Sequence, residues 1–106
     1  MKVLLDECVD VGLAPSLVGF SVRTVVQQGW VGITNGKLLA LAAAEFDVFV
    51  TVDRNLPFQQ HLPKFDIAIV SLMAKSNRLA DLQALIPNVL TTIPLAVKSQ
   101  VTRVSA

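Results

Sequence analysis

The chain has 106 residues, of which 53% are hydrophobic and 16% are charged, and its formal net charge is +1. This length suits one domain, and the near-zero net charge excludes a strongly basic nucleic-acid-binding protein. Because Cys8 is the only cysteine, an internal disulfide is excluded and a cytoplasmic location is expected. Glu45 and Asp47 interrupt the longest apolar run, so no membrane span and no membrane partner are expected.

The hydrophobic fraction is higher than the core of a small protein needs. One explanation is a parallel sheet that is buried on both faces, in which the strands are apolar throughout. The other is an apolar surface patch that a second copy or another protein covers, which predicts a homo-oligomer or a protein partner.

Apolar runs, glycines, prolines and candidate helix caps divide the chain into alternating strands and helices. Asn35 and Asn77 are each predicted to be the N-cap of a helix. In chain order, the predicted elements are a buried strand at 2–5, a weak helix at 9–17, a half-exposed strand at 20–26, a loop at 27–34, a helix from 35 to 46, a buried strand at 48–52, a loop with a short helical turn at 54–65, a strand at 67–72, a helix from 77 to 93 that Pro87 splits, and an edge strand at 101–104.

This alternation predicts a three-layer α/β fold with a mostly parallel sheet of four to five strands, forming a single domain over 1–106. If the strand order is 2-1-3-4, the first and third strands are neighbours, and the chain reverses direction across the sheet between them. Ligands bind at such a reversal, beyond the carboxyl ends of the strands. Asp6 follows the first strand and Asp53 the third. Since neighbouring strands lie about 4.8 Å apart, the two carboxylates are predicted to share one metal ion.

Asp6 and Asp53 also have a purely structural interpretation, because aspartate often stabilises the turn after a strand. Two of them at equivalent ends of neighbouring strands favour a functional site instead, since like charges repel unless a cation compensates them. Glu7 is either a further ligand or a solvated carboxylate. Asn55 either orients a water molecule or bonds to the backbone of its own loop.

Further candidates follow the strands or begin the central helix. They are predicted to bind the substrate, the cations through its phosphate groups; the alternative is surface solvation for the cations and helix capping for the asparagine. These candidates are Arg54, Lys75, Arg78 and Asn35.

Three other residues have chemistry of their own. Trp30 either stacks on a base or fills the core beneath a loop, and the sequence favours the core. His61 stands alone, without the cysteines of a zinc site. Cys8 is predicted to be a small buried hydrophobic residue beside the site.

Four segments together resemble the short, uncharacterised PIN-like family of bacterial proteins, which is linked to the PIN-domain ribonuclease toxins of toxin–antitoxin pairs. They are LLDE at the start, GWVGITNG before the central helix, LALAAAEFDVFVTVDRN, and SNRLADL. The resemblance covers about residues 1–93, and the combination of segments is more specific than any one of them.

The resemblance implies a PIN-like fold and Mg²⁺- or Mn²⁺-dependent cleavage of RNA. Carried over by position, Asp6 and Asp53 are the metal-binding and catalytic acids, with Glu7 and Asn55 beside them. Two positions that are often acidic in the relatives hold Asn35 and Asn55 here. This loss of charge favours one bound ion over two.

The leading hypothesis is therefore a metal-dependent ribonuclease that acts as the toxin of a pair and binds an antitoxin-like protein. The second is an interaction module that keeps the fold without the chemistry and binds a protein or RNA. The third is a receiver-type phosphoacceptor switch, which needs a further strand with a lysine at its end.

Overall fold

The computed structural model describes residues 1–106, except for the side chain of residue 57. Its strands are β1 (Lys2–Leu5), β2 (Ser21–Thr24), β3 (Val48–Thr51), β4 (Ala68–Leu72) and β5 (Val101–Val104). Its α-helices are α1 (Val25–Gln28), α2 (Asn35–Glu45), α3 (Leu56–Gln59), α4 (Leu79–Gln83) and α5 (Ile86–Thr92), with 3₁₀ helices at Val11–Ser16, Leu62–Lys64 and Ile93–Leu95.

The five strands form one sheet in the order β2-β1-β3-β4-β5, and every neighbouring pair is parallel. The predicted three-layer α/β class is thus confirmed, and the first four strands have the order 2-1-3-4, in which the first and third strands are neighbours. The predicted strand at 101–104 is also confirmed, because β5 extends the sheet beside β4 and forms its edge. Among the described residues, no helix has the length and apolar character that crossing a membrane requires.

Apolar side chains of the strands alternate between the two faces of the sheet, and each face has its own hydrophobic cluster. The first cluster contains Val3, Leu5 and Val50 and packs under α4 and α5. The second contains Leu4 and Phe49 and packs under α2 and α3. Burial on both faces is the arrangement that makes parallel strands apolar throughout, which accounts for much of the high hydrophobic content.

Helix boundaries differ from the predictions where capping was inferred from asparagine. Thr34, not Asn35, is the N-cap of α2, and Asn35 is the first residue of that helix. Arg78, not Asn77, is the N-cap of α4. The weak helix expected at 9–17 is a 3₁₀ helix at Val11–Ser16, which contains the proline that disfavours a longer α-helix.

The strand predicted at 20–26 ends at Thr24, because Thr24 begins α1 instead of continuing β2. Its hydroxyl accepts a hydrogen bond from the Gln27 backbone N–H, and the Gln27 side chain accepts one from the Thr24 N–H. This reciprocal capping box starts a helix at the carboxyl end of a strand. The split at Pro87 is confirmed, since α4 ends at Gln83 and α5 begins at Ile86.

Candidate functional site at the carboxyl edge of the sheet

Asp6 and Asp53 lie at the same edge of the sheet, after neighbouring parallel strands. Asp6 follows β1 directly, and Asp53 comes two residues after the last residue of β3. With β2 on the other side of β1, the direction of the chain across the sheet reverses between β1 and β3. The two acids therefore lie where α/β sheets bind ligands.

Buried polar side chains also gather at this edge. Among the described residues, those that are buried are Asp6, Thr24, Thr51 and Ser71, and each lies within or next to the last two positions of a strand. Thr51 and Ser71 are paired in the register of β3 and β4. Polar groups are costly to bury unless they are hydrogen-bonded, so this concentration marks the edge as chemically distinct from the apolar body of the sheet.

The Asp6 carboxylate is buried, with 6% of the residue exposed, and accepts three hydrogen bonds. The Glu7 backbone N–H donates to Oδ1 at 2.8 Å, and the Thr51 hydroxyl donates to Oδ2 at 2.7 Å. The Cys8 thiol also donates to Oδ2, at 3.3 Å. A carboxylate offers about four acceptor positions, so about one remains for a ligand.

Thr51 is the residue that connects the two acids. Its hydroxyl donates to Asp6 and accepts a 3.0 Å hydrogen bond from the backbone N–H of Asp53. The predicted site does not include Thr51, although it carries the single hydroxyl in the otherwise apolar run 48–52, a signal that could identify it. The hydroxyl holds the Asp53 loop against the end of β1.

Asp53 is half-buried, and its Oδ1 atom accepts a 2.9 Å hydrogen bond from the backbone N–H of Asn55. This bond turns the chain after β3, as aspartate side chains commonly do. Among the contacts of the described residues, Oδ2 of Asp53 accepts no hydrogen bond. Asp53 thus stabilises its own loop and keeps one carboxylate oxygen available. The side chains of Asn55 and Glu7 are exposed beside the two acids.

The prediction that Cys8 is a buried hydrophobic residue is wrong. The residue is exposed, and its sulfur lies 3.3 Å from Oδ2 of Asp6 and 3.6 Å from the Thr51 hydroxyl. Partial burial of the thiol, followed by repulsion from the Asp6 carboxylate, raises the pKa of Cys8. The thiol is therefore a protonated donor to Asp6 and a weak nucleophile at neutral pH.

The predicted cationic residues lie in the loops after β3 and β4. Arg54 donates from Nη2 to the Ala74 carbonyl at 2.9 Å, which joins these two loops. Lys75 and Arg78 are exposed in the loop between β4 and α4. In the same loop Ser76 donates a 2.5 Å hydrogen bond to Asp81. Three cationic side chains, those of Arg54, Lys75 and Arg78, are therefore present in the loops that follow β3 and β4.

Three other candidate residues lie apart from the two acids. Among the described residues, no hydrogen bond joins Asp6 or Asp53 to Asn35, Trp30 or His61. Asn35 is half-buried in the first turn of α2. Trp30 is half-buried and packs edge-to-face on Phe46, with ring centroids 6.2 Å apart, so its ring lies against the second hydrophobic cluster as the core interpretation expects. His61 is exposed and lines a surface cavity of about 440 Å³ with Lys37 and Lys64, a cavity that neither Asp6 nor Asp53 lines.

The donor chemistry at the edge fits one hydrated divalent ion and does not fit a pair of ions. Among the described residues, no group of three or more His, Cys, Asp or Glu side chains is arranged to hold a metal. Mg²⁺ commonly uses one or two carboxylates and keeps several water ligands, and Asp6 and Asp53 supply two carboxylates after neighbouring strands at this edge. A two-metal centre needs more acids than this edge provides.

No family model, no curated protein and no solved structure matches this chain. The PIN-like resemblance therefore stays a prediction from the sequence segments. The receiver-type alternative has little geometric support, because Ser105 follows β5 where that mechanism needs a lysine.

Proposed function

We propose that the protein binds one Mg²⁺ or Mn²⁺ ion at the carboxyl edge of its sheet and hydrolyses phosphodiester bonds in RNA. The observation that carries this proposal is the position of Thr51, whose hydroxyl bonds both to the Asp6 carboxylate and to the backbone of Asp53. This arrangement supports a shared role for two acids that lie far apart in the chain.

Asp6 and Asp53 are the residues that would hold the ion. Asp6 would do so through its remaining acceptor position, and Asp53 through the carboxylate oxygen that accepts no hydrogen bond from the described residues. When bound, the ion supplies positive charge to a phosphate oxygen and lowers the pKa of a coordinated water. The hydrogen bonds that Asp6 receives fix its carboxylate in place, which reduces the entropy lost when a ligand binds.

The remaining residues bind the substrate and orient water. Arg54 uses one of its five N–H donors on Ala74, so the others stay available to phosphate oxygens. Lys75 and Arg78, exposed in the adjoining loop, add charge on the same side. Glu7 or Asn55 accepts a hydrogen bond from the attacking water and orients it.

Calorimetric titration with Mn²⁺ tests the ion site. The wild-type protein is compared with Asp53→Asn and with a matched control, Asp66→Asn, whose exposed carboxylate precedes β4 at the opposite edge of the sheet. We expect binding by the wild type and by the control and its loss in Asp53→Asn. Identical titrations for all three proteins would remove the site.

Cleavage is tested with labelled single-stranded RNA in the presence of Mn²⁺. We expect products with the wild-type protein and with Asp66→Asn, and none with Asp53→Asn or with EDTA. In the toxin interpretation, expression of the wild type in the cytoplasm slows growth, and co-expression of an antitoxin-like partner restores it. If Asp53→Asn arrests growth to the same degree as the wild type, the toxicity does not depend on the proposed RNA cleavage.

A second candidate function is an interaction module without catalysis. It is favoured by the three hydrogen bonds that already occupy Asp6 and because, among the described residues, no three His, Cys, Asp or Glu side chains are arranged to hold a metal. This candidate predicts no Mn²⁺ binding and no cleavage, together with co-purification of a specific protein encoded beside it. Metal-dependent cleavage that needs Asp53 would exclude it.

A further inference from the structure

Phe58 is a large apolar side chain placed on the surface close to the proposed site. It is 78% exposed and lies in α3, the short helix that begins directly after the loop of Asp53 and Asn55. Its backbone N–H donates a 2.9 Å hydrogen bond to the Asn55 carbonyl. The position of the ring is therefore tied to the loop that carries Asp53.

The helix that carries Phe58 is anchored from below. Leu56 is fully buried and belongs to the hydrophobic cluster under α2 and α3. Because one side chain of this short helix is fixed in the core, the exposed ring of Phe58 is presented in a defined place. Burying Phe58 as well would have been the favourable choice for stability alone.

A cation from the edge strand lies against this ring. The guanidinium carbon of Arg103, in β5, is 5.8 Å from the centroid of the Phe58 ring. The contact uses one side of an aromatic ring that is otherwise largely exposed. Arg54 and Lys75 add positive charge in the loops at the carboxyl ends of β3 and β4.

An exposed aromatic ring beside arginine is the combination that binds single-stranded nucleic acids, in which bases stack on the ring and cations contact the phosphates. We propose that Phe58 stacks on an unpaired RNA base, with Arg103 contacting the adjoining phosphate, so that the strand passes from this platform to Asp6 and Asp53. The inference rests on the proposed function only in taking RNA as the ligand. The guanidinium of Arg103 against the ring favours the anionic backbone of RNA over an apolar protein segment.

Fluorescence anisotropy with a labelled single-stranded oligoadenylate of about 12 nucleotides tests the platform. EDTA is present throughout, so that binding is measured without metal and without cleavage. We expect Phe58→Ala to weaken binding about tenfold, as the loss of one stacked base does. Phe58→Trp keeps an aromatic platform and is expected to retain the affinity, with quenching of the new tryptophan when RNA binds.

Leu95→Ala is the matched control. Leu95 is 77% exposed, so this substitution removes a similar exposed apolar side chain elsewhere on the surface. We expect it to leave RNA binding unchanged. A second control uses an abasic strand of the same length, which keeps the phosphates and lacks the bases. Its affinity is expected to be the same for the wild type and for Phe58→Ala.

Equal RNA affinity for the wild type and Phe58→Ala would overturn the inference, as would an equal loss in Leu95→Ala. Sedimentation velocity of the wild type and Phe58→Ala covers the remaining case. If the substitution dissociates an oligomer and leaves RNA binding unchanged, Phe58 is a protein contact and the inference is wrong. If Phe58→Ala weakens RNA binding but the wild type binds no Mn²⁺, only the catalytic proposal is rejected. If the protein cleaves RNA with Mn²⁺ but Phe58→Ala leaves RNA affinity unchanged, only the platform is rejected.

Discussion

Thr51 donates a 2.7 Å hydrogen bond to the buried carboxylate of Asp6, across the boundary between two parallel strands. The register explains this contact, since Leu5 is paired with Val50 and the next residues of the two strands are Asp6 and Thr51. Thr51 is itself fully buried. The bond therefore stabilises the fold at the same point where it orders the proposed site.

Thr51→Val is expected to destabilise the protein by about 1–3 kcal/mol. Valine has nearly the same shape, so the packing is kept while the buried Asp6 carboxylate loses its shortest hydrogen bond. Urea denaturation monitored by circular dichroism gives the free energy of unfolding. Thr51→Ser keeps the hydroxyl and should cost less, although it removes a buried methyl group. A valine variant as stable as the wild type would show that this bond contributes nothing.

A double-mutant cycle separates the bond from the individual residues. In the Thr51→Val background, Asp6→Asn should cost less than it does in the wild-type protein, because the interaction has already been removed. The difference measures the coupling between the two side chains. Additive effects would mean that Thr51 and Asp6 stabilise the fold independently.

The raised pKa of Cys8 predicts slow alkylation at neutral pH. Partial burial of the thiol is the main cause, and the neighbouring Asp6 carboxylate opposes the thiolate further. The rate of reaction with iodoacetamide, followed by mass spectrometry across a pH series, reports the pKa. Asp6→Asn should shift the profile to lower pH, whereas Asp10→Asn, which changes an exposed carboxylate, should not. Superimposed profiles for all three proteins would contradict the assigned cause.

The same shift predicts how stability changes at high pH. Because the folded protein holds the Cys8 proton more tightly than the unfolded chain, this contribution is complete below the pKa of the unfolded thiol. It is lost as the pH rises from there through the higher pKa of the folded state. Urea denaturation of the wild type and Cys8→Ala between about pH 7 and 10 measures it. We expect the wild type to lose more stability than the alanine variant over this range.

The strands and their order could be predicted because apolar runs and their alternation directly reflect burial in a parallel sheet. Val48, Phe49 and Val50 form such a run, and all three are buried on one face or the other. The positions of Asp6 and Asp53 at one edge followed from this order. Local sequence was enough here because the pattern and the tertiary burial agree.

The contacts of the site could not be predicted, since they depend on residues that meet only across strands. The hydroxyl of Thr51 stands out in its apolar run, but its partner Asp6 is 45 residues away and no local pattern pairs the two. The exposure of Cys8 also has no local signal, because residue type indicates only that free cysteine is usually buried. Residue preference alone favours Asn35 and Asn77 as helix caps. Neighbouring residues, Thr34 and Arg78, have the N-cap geometry instead.

Thr24→Ala is expected to destabilise the protein by about 1 kcal/mol, through the loss of the N-cap of α1. Its hydroxyl accepts the Gln27 N–H at 3.1 Å, and Thr24 is buried, so water replaces this bond poorly. Thermal or urea denaturation gives the difference, with Thr24→Ser as the variant that keeps the oxygen. If serine and alanine at this position are equally destabilising, the cap is not the cause.

Glycine-to-alanine substitutions at two positions are expected to have opposite signs. Gly29 ends α1 with φ at +74°, a conformation that alanine adopts with a cost of about 1 kcal/mol. An added Cβ there meets no atom within 4 Å, so the cost lies in the backbone alone. Gly36 instead lies in the first turn of α2, where alanine favours the helix by roughly the same amount.

At Gly36 the added Cβ would lie 3.1 Å from Oε1 of Gln60, at the end of a flexible side chain that can move aside. The gain in helix propensity is therefore expected to exceed the steric cost, and Gly36→Ala should raise the midpoint of urea denaturation. Gly29→Ala should lower it, and Gly29→Asn should lower it less, because asparagine tolerates positive φ. If Gly36→Ala is destabilising, the Gln60 side chain does not move aside, and the steric cost of the added Cβ exceeds the gain in helix propensity.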